Sequence, residues 1–160
     1  MIGTSYIALG SNLGRREATL RRAVDLLEQR GGVRVVALSD FIETVPTGGP
    51  GGQDNFINAA AAVQTALDPL EFLHALQETE VLCGRDRATE LRWGPRTCDL
   101  DILLVGDLVM RTPQLTIPHP RMHLRLFVLR PLAQIAPDVV HPVLGKTIAE
   151  LLAQAEGVAK

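Results

Sequence analysis

Residues 33–42 read Val33-Arg34-Val35-Val36-Ala37-Leu38-Ser39-Asp40-Phe41-Ile42, and residues 55–65 read Asn55-Phe56-Ile57-Asn58-Ala59-Ala60-Ala61-Ala62-Val63-Gln64-Thr65. The first alternates loosely and is rich in β-branched residues, which is a strand pattern. The second is read as a strand too, although its alanine run is also compatible with a helix. Between them, Pro46-Thr47-Gly48-Gly49-Pro50-Gly51-Gly52 breaks regular structure, because glycine and proline at this density make a loop. Two successive strands without a crossover helix favour antiparallel pairing. The loop's composition suits a surface connection and a flap beside a site equally well.

On the N-terminal side, Ser5 to Gly10 is a short apolar run and reads as a buried strand. A helix follows over about Arg16 to Arg30, with Leu20, Ala23, Val24 and Leu27 on one stripe and Gly31-Gly32 ending it. On the C-terminal side, Asp68-Pro69-Leu70-Glu71 starts a helix: Asp as N-cap, Pro at N1, Glu at N3. That helix runs to about Cys83 and stops at Gly84. Cys98 to Val105 reads as a strand, and Gly106-Asp107 turns it into a partner at Leu108-Val109-Met110. Phe127 to Ile135 and Thr147 to Ala155 read as helices, the second with capping-box spacing at Thr147 and Glu150. The order β-α-β-β-α-β-β, then helices, predicts an α+β protein with a ferredoxin-like core, a mainly antiparallel sheet flanked by helices.

The chain has 160 residues, which predicts one domain over residues 1–160. Sixteen Lys plus Arg against eighteen Asp plus Glu give a net charge of −2, so the basic excess of a nonspecific nucleic-acid binder is missing. With 46% hydrophobic residues, general disorder is excluded. No apolar run is long enough to span a bilayer, and the N-terminus lacks signal-peptide features. Two cysteines, Cys83 and Cys98, make neither a disulfide framework nor a four-ligand zinc site of their own. The expectation is a cytoplasmic monomer with no nucleic-acid or membrane partner. The basic residues are 14 Arg and 2 Lys, a bias that suits bidentate phosphate binding and equally a GC-rich coding sequence.

Asp99 and Asp101 are two apart in a strand, so both side chains leave one face, roughly 6.5–7 Å apart by strand rise. Leu100, Ile102 and Leu104 are expected on the other face. Two like charges on an apolar strand need something positive between them. Divalent cations are one answer, and neighbouring arginines or plain exposure are others. Arg85, Arg87, Arg92 and Arg96 lie close by in sequence, and Arg121 and Arg125 follow. Carboxylates and arginines together can hold a metal–polyphosphate, the metal bridging phosphate oxygens and guanidiniums forking onto the rest. On the Asp68-capped helix, Leu70, Leu73, Leu76 and Val81 define an apolar arc that includes Gln77 and Glu80 and leaves out Glu71, Glu78 and Thr79. Two long polar side chains in that arc either serve a cavity or snorkel. Gly145-Lys146-Thr147 is not the end of a phosphate-binding loop, because the required glycine five positions earlier is Val140. His119 and His123 are four apart, but Pro118 and Pro120 argue against a helical zinc pair.

The string Arg92-Trp93-Gly94-Pro95-Arg96-Thr97-Cys98-Asp99-Leu100-Asp101-Ile102 resembles the signature of the 6-hydroxymethyl-7,8-dihydropterin pyrophosphokinase family. Tyr6 to Gly14, Glu43-Thr44 with Pro46, Asn55 to Ala60, Gly84-Arg85 with Arg87, and Ile117 to Met122 agree in order. The resemblance implies transfer of pyrophosphate from the co-substrate ATP to the hydroxymethyl oxygen of a reduced pterin, with release of AMP, in folate biosynthesis. It implies two Mg²⁺ held by Asp99 and Asp101, with Arg85, Arg92 and Arg96 joining them in catalysis. Nucleotide contacts would fall on Leu73, Gln77, Glu80, Arg85, Arg96, Ile102, Thr116, His119 and Arg125. Pterin contacts would fall on Thr44, Val45, Thr47, Phe56, Asn58, Trp93 and Phe127. The chemistry of these residues fits: aromatic faces can sandwich a flat heterocycle, and an amide can both donate and accept along its edge. Segments 46–52 and 84–95 would be flaps that exclude water. Two other readings compete. A different magnesium-dependent nucleotide enzyme would use the same carboxylates and arginines. A noncatalytic RNA-binding module would need exposed aromatics and a basic excess, and only 4% of residues are aromatic.

Overall fold

The computed structural model describes residues 3–46, 49, 51–85 and 97–159. Strand β1 (Ser5–Ser11) leads into helix α1 (Arg16–Gln29), then β2 (Val33–Leu38), β3 (Ile42–Thr44) and β4 (Phe56–Thr65). Helix α2 (Pro69–Leu82) connects to β5 (Asp99–Val105), followed by the short strands β6 (Met110–Arg111) and β7 (Thr116–Ile117). A 3₁₀ turn (Met122–Leu124) precedes helices α3 (Leu126–Ile135) and α4 (Ile148–Ala159). The main sheet has the order β2-β4-β1-β5 with every neighbour antiparallel, and β3 shares the β4 edge with β2. This is the α+β arrangement expected from the element order.

The helix ends follow from local chemistry. At α2, Glu71 N donates to Asp68 Oδ1 (2.9 Å) and Asp68 N donates to Glu71 Oε1 (3.1 Å), with Pro69 in the first turn. Thr147 and Glu150 repeat the reciprocal pair before α4. Gly31 ends α1 with φ +81°, a conformation that L side chains adopt only at a cost.

Three expectations are corrected. The strand expected over residues 33–42 is two strands. Ser39 Oγ accepts from Ala60 N (2.8 Å), and Asp40 N turns away to Gln134 Oε1 of α3 (2.8 Å), so the ladder is interrupted there. The segment after Gly106-Asp107 does not fold back on β5. Met110 and Arg111 pair instead with Ile117 and Thr116 in a separate two-stranded sheet. Leu104 does not share a face with Leu100 and Ile102. The pairing of β1 with β5 passes from Tyr6↔Leu104 to Ile7↔Ile102, a bulge that shifts the alternation by one residue.

That bulge divides β5 between two cores. Leu100 and Ile102 join Ile7, Leu9, Ala59, Ala61 and Val63 under α1 and α2. Leu103 and Leu104 join Ala60 on the opposite face, beneath Val128, Leu129 and Leu132 of α3 and Ile148 and Leu151 of α4. Alternation places Gly10, Asn58, Asp99 and Asp101 on that second face as well.

Candidate active site

The site is assembled by strand register. Gly10 of β1 pairs with Asn58 of β4 on one side and with Asp99 of β5 on the other. Asp99, Gly10 and Asn58 therefore form a row across the sheet, its ends two strand spacings, about 9.5 Å, apart. One step along, Ala8 lies between Ala60 and Asp101. The middle of the row has no side chain. A carboxylate couplet stands on one flank and an amide on the other.

The carboxylate flank is anchored from beneath by α2. Glu80 is buried, and its Oε2 accepts from Arg85 Nη1 (2.8 Å) and from Leu100 N (2.8 Å). Arg85, also buried, donates from Nη1 to Asp99 Oδ1 (3.1 Å) and to the Cys98 carbonyl (3.4 Å). One guanidinium thus joins the end of α2 to the start of β5. A pair sealed from water in this way is costly to break, because the surviving partner is left charged and buried. Asp101 has a different environment. Burial, then the charges of Asp99 and Glu80, push its carboxyl up to about 7, against the opposing pull of Arg125 and Arg85. Behind the couplet, the hydrogen bond between Cys83 and Cys98 pulls the pKa of the Cys83 thiol down and, together with burial, pushes that of Cys98 up.

His119 follows the cis peptide Ile117–Pro118. Its Nδ1 accepts from Arg121 N (3.1 Å), so the ring proton sits on Nε2. Burial and the charges of Arg125 and Arg121 press it down to about 4, which makes it a neutral donor at ordinary pH. Thr116 and His119 line a cavity of about 230 Å³ together with Arg111, His123, His141 and Leu144. Arg125 lies with its guanidinium 5.5 Å from the Phe127 ring centre, a cation–π distance.

On the amide flank, Thr44 Oγ1 donates to Asn58 Oδ1. Phe56, directly opposite Thr44 in the ladder, is half-buried, as is Phe127. Nearby, Asn12 is buried and donates to Gln53 Oε1 (3.0 Å) and the Asp54 carbonyl (3.2 Å), tying the end of β1 to the entry of β4.

The donor set fits hard divalent cations. Two oxygen-only side chains share one face, and burial, reinforced by the neighbouring Asp99 and Glu80 charges, raises the Asp101 carboxyl to about 7, so positive charge arriving there would favour its ionised form. Among the described residues no group of three or more His, Cys, Asp and Glu is gathered, so a cation here would complete its shell with other oxygens.

Other expected residues are placed less directly. Gln77 is exposed and Val81 is 63% exposed, whereas Thr79 is buried and donates to the Ala75 carbonyl (2.9 Å). The buried face of α2 runs through Phe72, Ala75, Leu76, Thr79 and Glu80, so the expected arc was rotated. Leu73 packs at the edge of the α1/α2 core, and the Ile102 side chain is buried within it, on the far face from the aspartates. Val45 is 76% exposed. Thr47, Arg92, Trp93 and Arg96 lie outside the described residues, as do most of the segments read as flaps. Sequence reasoning missed Gly10 and Asn12 as site-building residues. The signals were a glycine and an asparagine closing an apolar strand, and the place of both in the Tyr6 to Gly14 block that resembles the family.

An acidic couplet tied to a buried arginine, with an amide across an open glycine, is an arrangement able to hold a metal–polyphosphate beside a polar ligand on an α+β sheet. The sequence matches the model of the 7,8-dihydro-6-hydroxymethylpterin-pyrophosphokinase family over residues 6–137. It is 50% identical over 139 residues to the 2-amino-4-hydroxy-6-hydroxymethyldihydropteridine pyrophosphokinase of Bacillus subtilis, covering 87% of this chain and 81% of that protein. It is 46% identical to the pyrophosphokinase of the same name from Pseudomonas aeruginosa, covering 96% of this chain and 92% of that protein. A solved HPPK-DHPS in complex with substrates superposes with a TM-score of 0.75 at 14% identity, covering 99% of this chain and 44% of that longer chain, a likeness of fold. This chain belongs to the 7,8-dihydro-6-hydroxymethylpterin-pyrophosphokinase family.

Proposed function

We propose that the Asp99–Gly10–Asn58 row is where the family's two substrates meet. The chain is an ATP-dependent pyrophosphokinase: it transfers pyrophosphate from ATP to the hydroxymethyl group of 6-hydroxymethyl-7,8-dihydropterin, in folate biosynthesis. The hydroxymethyl oxygen bonds to the β-phosphorus. The bond from that phosphorus to the α-phosphate oxygen breaks, AMP leaves with the electron pair, and the hydroxyl proton is released. Such transfers depend on positioning and on charge neutralisation more than on covalent help from protein.

Asp99 and Asp101 would hold two Mg²⁺. Magnesium held there would supply positive charge against the negative charge that develops on the leaving phosphate. Arg85 fixes Asp99 in place, and Glu80 fixes Arg85. Arg125 and the Nε2–H of His119 would offer donors to phosphate oxygens. Leu73, Gln77, Ile102 and Thr116 would border the nucleotide, and Arg92 and Arg96 would add positive charge. Phe56 and Phe127 would sandwich the pterin with Asn58 on its edge, and Thr44, Val45, Thr47 and Trp93 would close that pocket. Residues 1–160 would form one domain, working as a cytoplasmic monomer.

The observation that carries this reading is the register itself, which sets the carboxylates and the amide on one face with an open glycine between them. Product analysis with ATP, Mg²⁺ and the pterin tests it. AMP and the pterin diphosphate are expected in equal amounts. ADP in place of AMP would remove pyrophosphoryl transfer and leave a different nucleotide enzyme.

A further inference from the structure

The Asn58 amide is held from both sides. Its Oδ1 accepts from Thr44 Oγ1 on β3, which fixes the amide's orientation and turns Nδ2 towards β1. On the β1 side lies Gly10, and a Cβ built there would stand 3.1 Å from Asn58 Nδ2 and 3.8 Å from Phe56 Cδ1. Asn58 is 7% exposed, and Nδ2 is not among any buried atoms left without a partner, so the N–H edge that Oδ1 does not use retains access to a ligand or solvent. A threonine hydroxyl therefore sets which end of the amide faces the row, and an absent side chain keeps room for it.

We infer that Thr44 and Gly10 are positioning residues that fix Asn58 with its N–H edge presented to an acceptor atom on the heterocycle. The inference rests on the reading of Phe56, Asn58 and Phe127 as the pterin pocket. Without the Thr44 hydroxyl the amide can turn over, offering oxygen where the ligand needs a donor. With a methyl group at residue 10, Nδ2 must move by a few tenths of an ångström, and the hydrogen bond to the ligand lengthens. Gly10 has no left-handed backbone to explain its presence, so the space it leaves is its contribution.

The test is pterin binding by the full-length protein, with Mg²⁺ and a non-hydrolysable ATP analogue present, in a double-mutant cycle with Asn58. Thr44→Val is expected to raise the pterin Kd roughly tenfold, the worth of one misdirected hydrogen bond. Thr44→Ser should keep it within about twofold of the parent. In an Asn58→Ala background, Thr44→Val and Gly10→Ala should each add less than about twofold. Gly10→Ala alone should weaken pterin binding without lowering the melting temperature, because alanine suits a strand better than glycine. If Asn58→Ala weakens binding but Thr44→Val does not, the positioning role is wrong and the pocket stands. If Thr44→Val weakens binding equally with or without Asn58, Thr44 acts independently of the amide and the inference also fails. If Asn58→Ala leaves pterin affinity unchanged, the pocket reading falls and the inference with it.

Discussion

The two faces of the main sheet are built from the same five strands but carry unequal cover. Under α1 and α2 the face is closed: Ile7, Leu9, Ala61, Val63, Leu100 and Ile102 meet Leu20, Leu27, Phe72 and Leu76, nearly all fully buried. On the other face α3 and α4 cover only one end, over Ala60, Leu103 and Leu104. The uncovered end carries Gly10, Asn58, Asp99 and Asp101. Alternation along each strand thus separates two tasks: one set of positions supplies stability, and the neighbouring set is free to carry charges that a core would not tolerate. Glu80 is the exception that links them, a charge buried on the covered side that serves the open one.

The sharpest way to break this comparison is at the couplet. Asp99→Ala should lower turnover by about three orders of magnitude while the melting temperature stays within a few degrees, because Glu80 still pairs the buried Arg85 and the Asp99 side chain is 35% exposed. Activity within a few-fold of the parent would show that the open face does not carry the chemistry. Across the sheet, Ile102→Ala should do the opposite. It should cost about 3 kcal/mol of unfolding free energy, read by urea denaturation, while folded protein keeps its affinity for pterin. A subtler probe is pH. With its carboxyl raised to about 7, Asp101 binds a proton that a divalent cation must displace. Mg²⁺ affinity should therefore fall about tenfold per pH unit below 7 and level off above it, measured by titration calorimetry. Stability without cation runs the opposite way. The folded state holds this proton more tightly than the unfolded chain does, so stability in chelator falls as pH rises from about 4 to 7. Asp101→Asn should then raise the melting temperature at pH 8 without cation, a small gain bought with lost activity.

How far the sequence reached depends on whether a feature is local. The Asp68-Pro69-Leu70-Glu71 start, the Gly31 stop and the Thr147–Glu150 cap were legible because each is settled within four residues. The carboxylate couplet was legible because period-two alternation holds over Asp99 to Ile102. The face of Leu104 was not, because a bulge depends on the partner strand. The arc on α2 was misjudged because Phe72 was left out of it, and Phe72 is a large side chain of the first core with only 1% exposed. The hairpin after Gly106 failed for a further reason: Met110 and Arg111 found a better partner in Thr116 and Ile117, beyond the reach of a turn signal. Gly10 carried no chemistry of its own in the sequence. Its meaning came only when register set it between Asn58 and Asp99.

The bulge opposite Tyr6 and Ile7 also sets where this strand tolerates a change of length. Upstream of it, adding or removing one residue would exchange Asp99 and Asp101 for Leu100 and Ile102, driving two carboxylates into an oily interior. Downstream, deleting Leu104 would merely restore plain alternation and leave both acids where they stand. Indels in β5 should therefore survive selection on one side of a single residue and be lethal to the enzyme on the other.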